Sequence, residues 1–223
     1  MNKILKVIFI ISVYIFILLT IFEYSSLNIN YFKMKFEENN TSEITQKDSE
    51  ELIEISMEII DYLKGNRDNL IIEDKDGLVF EGRELKHMED VRALFDKGYK
   101  IKNILLFTAL VLAVILKYIY KNKILKLLFK GGIIFSGILI VVGLIIIFNF
   151  NKAFIIFHEI LFSNDLWILN PEEDLLIQML PSNFFSDLGL LIVKRYIITT
   201  VVITAVYLIN EKRINKKNEE VKL

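Results

Sequence analysis

Four apolar runs dominate this chain, and a bilayer is the environment that accommodates all of them. A helix needs about 20 mostly apolar residues to cross the hydrocarbon core. Residues 4–22, 104–119, 133–150 and 188–209 each meet or approach that length with few charges inside. Hydrophobic residues make up 53% of the chain and charged ones 25%. Both shares fit one polypeptide because polar and apolar residues occupy separate stretches. The reading is an all-α membrane protein with four transmembrane helices and a small mixed α/β extracytoplasmic cap. Its segments are helix 1 (1–22), a cap segment (23–103), helix 2 (104–119), a basic loop (120–132), helix 3 (133–150), an aromatic cap segment (151–187), helix 4 (188–209) and a tail (210–223). The first run is followed by Glu23-Tyr24-Ser25-Ser26, without the small-residue site of a cleaved signal peptide, so it is expected to stay as an anchor. Gly137 and Gly143 in the third run suit close helix contact in lipid.

Lysine and arginine placement orients the spans. Lys3 and Lys6 precede the first; Lys117, Lys121, Lys123, Lys126 and Lys130 lie between the second and third; Lys212, Arg213, Lys216, Lys217 and Lys222 follow the fourth. Four spans put all of these on one face, which is therefore cytoplasmic along with both termini. The long segment left on the other face is acidic, with Glu37, Glu38, Glu43, Asp48, Glu50, Glu51, Glu54, Glu58 and Asp61. The expected arrangement is a cell-membrane protein with the cap outside. The net charge of −1 offers nothing for nucleic acid. The absence of cysteine removes disulfides, thiolate metal sites and thiol catalysis together.

The outer segments carry folding signals. Asp48 and Glu51 form a capping-box pattern ahead of Leu52, Ile55, Ile59 and Leu63, and Gly65 suits the helix end. Ile71-Ile72 and Leu78-Val79-Phe80 flank Asp74-Lys75-Asp76-Gly77, which reads as two short strands and a turn. That turn lacks the rest of an EF-hand ligand set, so calcium is not expected. A second cap helix is predicted over 84–97, stopped by Gly98, with His87 bordering its apolar stripe. Phe154, Phe157, His158, Leu161 and Phe162 share helical spacing, which places His158 among aromatic rings. Asn164-Asp165 ends that helix. Asn170-Pro171-Glu172-Glu173 predicts another, with Asn at the cap and Pro in the first turn, ended by Pro181. Trp167, Phe184 and Phe185 suit a bilayer interface.

His87 and His158 are the two histidines of the chain, and both fall on the outer side. Two imidazoles can divide general-acid and general-base work; on spacing alone, interfacial or capping positions are the better explanation of each. A zinc site completed by Asp90, Glu159, Asp165 or Asp174 lacks compact ligand spacing, so no metal is expected. Lys194 and Arg195 lie a few residues into the fourth run, against the positive-inside bias. They either snorkel to outer headgroups or steady a developing oxyanion or lipid ester carbonyl. No nucleotide loop, serine elbow or internal repeat is present.

One stretch carries more than spacing. It runs Phe157-His158, Asn164-Asp165, Trp167, Leu169, Pro171, Asp174, Leu176-Ile177, Met179, Pro181, Phe184-Phe185, with Glu84, His87-Met88, Asp90-Val91 and Leu94-Phe95 upstream. This resembles the lipoprotein intramolecular transacylase (Lit) family of bacterial four-span membrane proteins. The resemblance implies an enzyme that moves the sn-2 acyl chain of a diacylglyceryl lipoprotein to the α-amino group of its N-terminal cysteine, giving a lyso-lipoprotein. It makes His87 and His158 the catalytic pair and requires no cofactor. Phe157, Phe162, Trp167, Phe184 and Phe185 are then expected to wall the acyl chains, Asp90 to orient His87, and Asp174 to support the cap. The expected partners are the lipoprotein substrate and membrane lipid. The rival readings are a non-catalytic accessory or lipid- and partner-binding protein of the same four-span group, and a metal-dependent membrane hydrolase.

Overall fold

The computed structural model describes residues 2–75, 77–120 and 124–220, so Asp76 of the predicted turn, Lys121 and Lys123 of the basic loop and Lys222 of the tail lie outside the described residues. Four helices are long and apolar enough to cross a membrane: α1 (Asn2–Ser26), α5 (Gly82–Tyr120), α6 (Ile124–Leu161) and α8 (Ser182–Glu220). Between them lie α2 (Ile29–Glu38), α3 (Thr41–Thr45), α4 (Ser49–Lys64), β1 (Glu73–Asp74), β2 (Gly77–Leu78) and α7 (Leu175–Met179). The chain divides into two compact units. The first is Met1–Phe22, Ile101–Leu144 and Leu190–Leu223; the second is Glu23–Lys100 and Ile145–Gly189.

In the first unit, Phe9, Leu112 and Leu116 are buried together, with Leu5, Val13, Ala113, Ile124, Leu127 and Leu128 packed around them. Elsewhere the long helices present bare apolar side chains such as Phe107, Ile134 and Val201. So much exposed hydrocarbon is the surface of a lipid-solvated helix bundle rather than of a water-soluble domain. The close helix approach occurs at Gly131 and Gly132. Gly137 has open space where a side chain would begin, and Gly143 makes only ordinary contact with Val193. The expectation for Gly137 and Gly143 is thus corrected. The helix crossing is set by the bulk of fully buried Tyr14, whose hydroxyl donates to the Leu128 carbonyl. A Cβ on Gly131 would lie 2.6 Å from Ile10 and 2.7 Å from the Tyr14 ring. Gly131→Ala is expected to cost about 1–3 kcal/mol through overpacking, read as a lower unfolding midpoint in detergent, while Gly137→Ala leaves that midpoint in place.

The second unit is built on amphipathic helices. Tyr31, Phe32, Lys35 and Phe36 make the buried face of α2; Leu52, Ile55, Ser56, Ile59, Ile60 and Leu63 lie on that of α4. Asp48 caps α4 by accepting the Glu51 N–H at 2.8 Å. Glu51 does not reciprocate as a capping box would; its carboxylate pairs with Lys47, which also holds Asp74. Gly65, at φ +88°, ends α4 in the left-handed conformation, and the Asn66 N–H returns to the Asp61 carbonyl at 2.9 Å. The strands are shorter and lie closer to the turn than expected: Glu73–Asp74, rather than Ile71-Ile72, pairs antiparallel with Gly77–Leu78, so Asp74 and Gly77 of the expected turn belong to the strands.

Three further expectations are corrected. The helix predicted to stop at Gly98 runs on from Gly82 to Tyr120 as α5. One glycine inside a long helix costs about 1 kcal/mol, too little to end it. The basic loop expected over 120–132 is helical from Ile124. The predicted helix at Asn170 is a turn: Asn170 Oδ1 accepts the Glu172 N–H at 3.1 Å, and the helix starts only after Asp174. α6 is interrupted at Asn149, whose backbone is non-helical (φ −157°, ψ 55°).

Lys35 is 4% exposed and paired with Glu38 and Asp187, tying α2 to the first turns of α8. Burial works against its ammonium, but hydrogen bonds and charge from the two carboxylates outweigh that and hold its pKa above the usual lysine value. Beside it, Tyr31 Oη donates to the Phe184 carbonyl at 2.7 Å. Lys35→Met is expected to destabilise the protein by about 1–2 kcal/mol. The loss is smaller than for a fully buried pair because both carboxylates are half-exposed and regain water. Thermal unfolding at neutral pH checks it.

Candidate active site

α5 and α6 bring the two histidines together. His87 lies near the start of α5 and His158 follows the interruption of α6 at Asn149. Their ring centroids are 6.1 Å apart with planes 35° from parallel. Each ring is buried, at 9% and 7% exposure. About 70 positions of sequence separate the two, so the encounter is wholly a product of the fold.

Aromatic rings fill the space around the pair. Phe162 touches both imidazoles, edge-on to His87 at 5.3 Å and tilted to His158 at 5.7 Å. Trp167 lies 4.8 Å from His158 and Phe157 5.5 Å. Phe154 is closer still at 4.1 Å, and Phe185 packs behind it at 5.6 Å. Phe184 faces elsewhere, held between Tyr31 and Phe32 at 5.0 Å from each. Phe157 is half-exposed and the other rings shield the pair from water.

Hydrogen bonds distinguish the two imidazoles. His158 Nδ1 lies 2.7 Å from the Phe154 carbonyl. A carbonyl only accepts, so Nδ1 carries the hydrogen and the neutral ring keeps its lone pair on Nε2. His87 Nδ1 is buried and has no protein partner. A buried nitrogen left without a partner is uncommon and suggests a ligand or catalytic use.

The supporting residues divide. Asp90, expected to orient His87, accepts instead from Asn164 Nδ2 at 2.8 Å. Asp174 accepts the Asn170 N–H at 2.6 Å and so shapes the turn before α7. Lys194 is exposed and Arg195 half-buried on the stretch of α8 that belongs to the first unit. Among the described residues, no three His, Cys, Asp or Glu side chains form a group that could hold a metal, so Asp90, Glu159, Asp165 and Asp174 do not complete one with the histidines.

Sequence reading missed Glu84 as a support. Its buried carboxylate accepts the Glu81 N–H at 3.2 Å, closing the start of α5, and the Leu176 N–H at 2.7 Å, closing the start of α7. Asp174 precedes α7 without capping it through its side chain, so the cap comes from another helix. The signal was present as a glutamate three residues after Glu81, one turn before His87. A recess of about 400 Å³ is lined by Leu78, Val79, Arg83, Glu84, Glu173 and Asp174 among others, and by neither histidine.

Long apolar helices and a shielded imidazole pair define a multi-pass membrane protein with a candidate acid–base site. Residues 7–185 match the family described as lipoprotein intramolecular transacylase Lit, and the chain belongs to that family of transferases. Its fold matches the in meso structure of the membrane-integral lipoprotein intramolecular transacylase Lit from Bacillus cereus, with TM-score 0.83, 23% identity, and coverage of 96% of this chain and 98% of that one. A histidine-to-arginine variant of the same protein matches with TM-score 0.78 and 22% identity, covering 96% of this chain and 95% of that one. An uncharacterized protein from Aquifex aeolicus is 29% identical over 109 residues; this chain spans about half of its length (47%), and 48% of this chain is aligned.

Proposed function

We propose that this protein is a membrane acyltransferase that moves the sn-2 acyl chain of a diacylglyceryl lipoprotein to the α-amino group of its N-terminal cysteine. The pair of buried imidazoles inside an aromatic shell carries this reading, together with family membership. Donor ester and acceptor amine belong to one molecule, joined through the cysteine Cα and Cβ, the sulfur and two glyceryl carbons. Attack closes a ring of about eight atoms, so the main task is to hold a reactive conformer. The amine nitrogen forms the new bond to the acyl carbon and loses a proton. The bond from that carbon to the sn-2 oxygen breaks, and the oxygen gains a proton to become a hydroxyl. No water or cofactor enters the balance.

His158 is suited to take the amine proton at Nε2, because its Nδ1–H is engaged by the Phe154 carbonyl. The proton that His158 takes passes on to the leaving oxygen, and His87, whose Nδ1 lacks a protein partner, is suited to relay it, so both rings end neutral. Phe157, Phe162 and Trp167 hold apolar chains near the pair and keep water out. Phe185 backs Phe154, and Phe184 anchors the start of α8. Asp90 and Asp174 serve by fixing Asn164 and the turn before α7. Lys194 and Arg195 meet lipid headgroups through their long side chains. Lysine and arginine placement supports cytoplasmic termini and an extracytoplasmic second unit.

Transfer leaves the substrate's total mass unchanged, because product and substrate are isomers. The test is therefore tandem mass spectrometry of one reporter lipoprotein from bacteria with and without this gene. An acyl group on the cysteine nitrogen and a free glyceryl hydroxyl are expected only when the gene is present. Identical acyl positions in both strains contradict the proposal and favour a non-catalytic role.

A further inference from the structure

The segment after α6 covers both histidines without being helical, and one side chain holds it. Phe162 lies on His87 and His158, and Trp167 lies on His158. Between those two aromatics sits Asn164. Its Nδ2 donates to Asp90 on α5, three residues beyond His87, at 2.8 Å. Its Oδ1 accepts the Leu166 N–H at 3.1 Å, which sets the turn toward Trp167. Its carbonyl accepts the Trp167 indole N–H at 3.1 Å. Asn164 thus ties the His87 helix to the ring that shields His158. A carboxylate facing an amide on one side and an N–H facing oxygen on the other make it directional: an aspartate in its place meets Asp90 with like charge.

We propose that Asn164 is a positioning residue that keeps water from the acyl carbon by holding Trp167 and Phe162 over the imidazole pair. This rests on the acyl-transfer reading. Loosening the cover admits water as a competing nucleophile. Water then adds to the acyl carbon, the bond to the sn-2 oxygen breaks, a free fatty acid leaves, and the glyceryl hydroxyl forms with the amine still unmodified. Transfer and hydrolysis are separable by mass, since only hydrolysis removes an acyl chain.

The test uses the full-length protein in detergent with a synthetic diacylglyceryl-cysteine peptide. The readout is the ratio of hydrolysed to transferred product. Asn164→Asp is expected to raise that ratio about tenfold by weakening water exclusion. Adding Asp90→Asn to it exchanges amide and carboxylate, restores the bond with its partners reversed, and is expected to return the ratio to that of the unmodified protein. A role confined to folding lowers both products together and leaves the ratio alone. Trp167→Phe keeps a ring on His158 but loses the bond to the Asn164 carbonyl, and it is expected to raise the ratio even if Asn164→Asp does not fold. An unchanged ratio in the folded variants overturns the role of Asn164 while leaving acyl transfer standing. Absence of both products with the unmodified protein overturns the acyl-transfer reading, and this inference with it.

Discussion

His87→Ala and His158→Ala are each expected to lower acyl transfer by at least about a hundredfold, the usual scale of lost acid–base catalysis. The two histidines are asymmetric in structure but alike in consequence, because the amine must lose a proton and the sn-2 oxygen must gain one. Removing His87 deletes a ring whose Nδ1 has no protein partner, so little hydrogen bonding is lost. Removing His158 forfeits the bond to the Phe154 carbonyl, which lies within α6 and retains helix partners. Both variants are therefore expected to accumulate in the membrane at normal levels. Tandem mass spectrometry on a reporter lipoprotein reads the activity, and immunoblotting of the membrane fraction reads the abundance. Normal transfer by either variant at normal abundance removes that histidine from the chemistry.

Glu84→Ala is expected to act through stability, at about 3 kcal/mol. The carboxylate is buried and closes two helix starts at once. Alanine strands the Leu176 N–H in a buried place with no acceptor and opens a gap beside α5. Hydrogen bonds to a charged acceptor are stronger than neutral ones, and an unmet buried donor bears its full desolvation cost. Glu84→Gln keeps one acceptor oxygen and is expected to lose about half as much. Thermal unfolding of the purified variants orders them: unmodified protein highest, glutamine next, alanine lowest. Equal midpoints for alanine and glutamine would show that the carboxylate does not close these helices.

The spans were readable because burial in lipid leaves little choice: a run of about 20 apolar residues has to be a helix that satisfies its own backbone. His158 among Phe154, Phe157 and Phe162 was readable from helical spacing. Gly65 and Asp48 announced their caps through the conformations and hydrogen bonds those residues favour. The ends of α5 were not readable. Gly98 resembles a stop, yet the helix continues because the apolar run beyond it is more favourable as helix than the glycine is costly. The meeting of His87 with His158 depends on long-range packing, which no local pattern records; topology put both on one side of the membrane, and the family resemblance singled them out as a pair. Lys35 shows the opposite limit. A lysine on the face of Tyr31, Phe32 and Phe36 reads as misplaced until Asp187, far along the chain, supplies its partner. Asp90 was placed on the correct helix beside His87, but its preference between imidazole and amide is settled by where Asn164 falls.

Intramolecular transfer is tested most directly by mixing two diacylglyceryl-cysteine peptides of different length with the purified protein, only the longer one carrying an isotopically heavy sn-2 chain. The expected product is heavy acyl on the nitrogen of the longer peptide alone, with light acyl on that of the shorter. Heavy acyl on the shorter peptide, or heavy chain released as free acid in place of transfer, contradicts it.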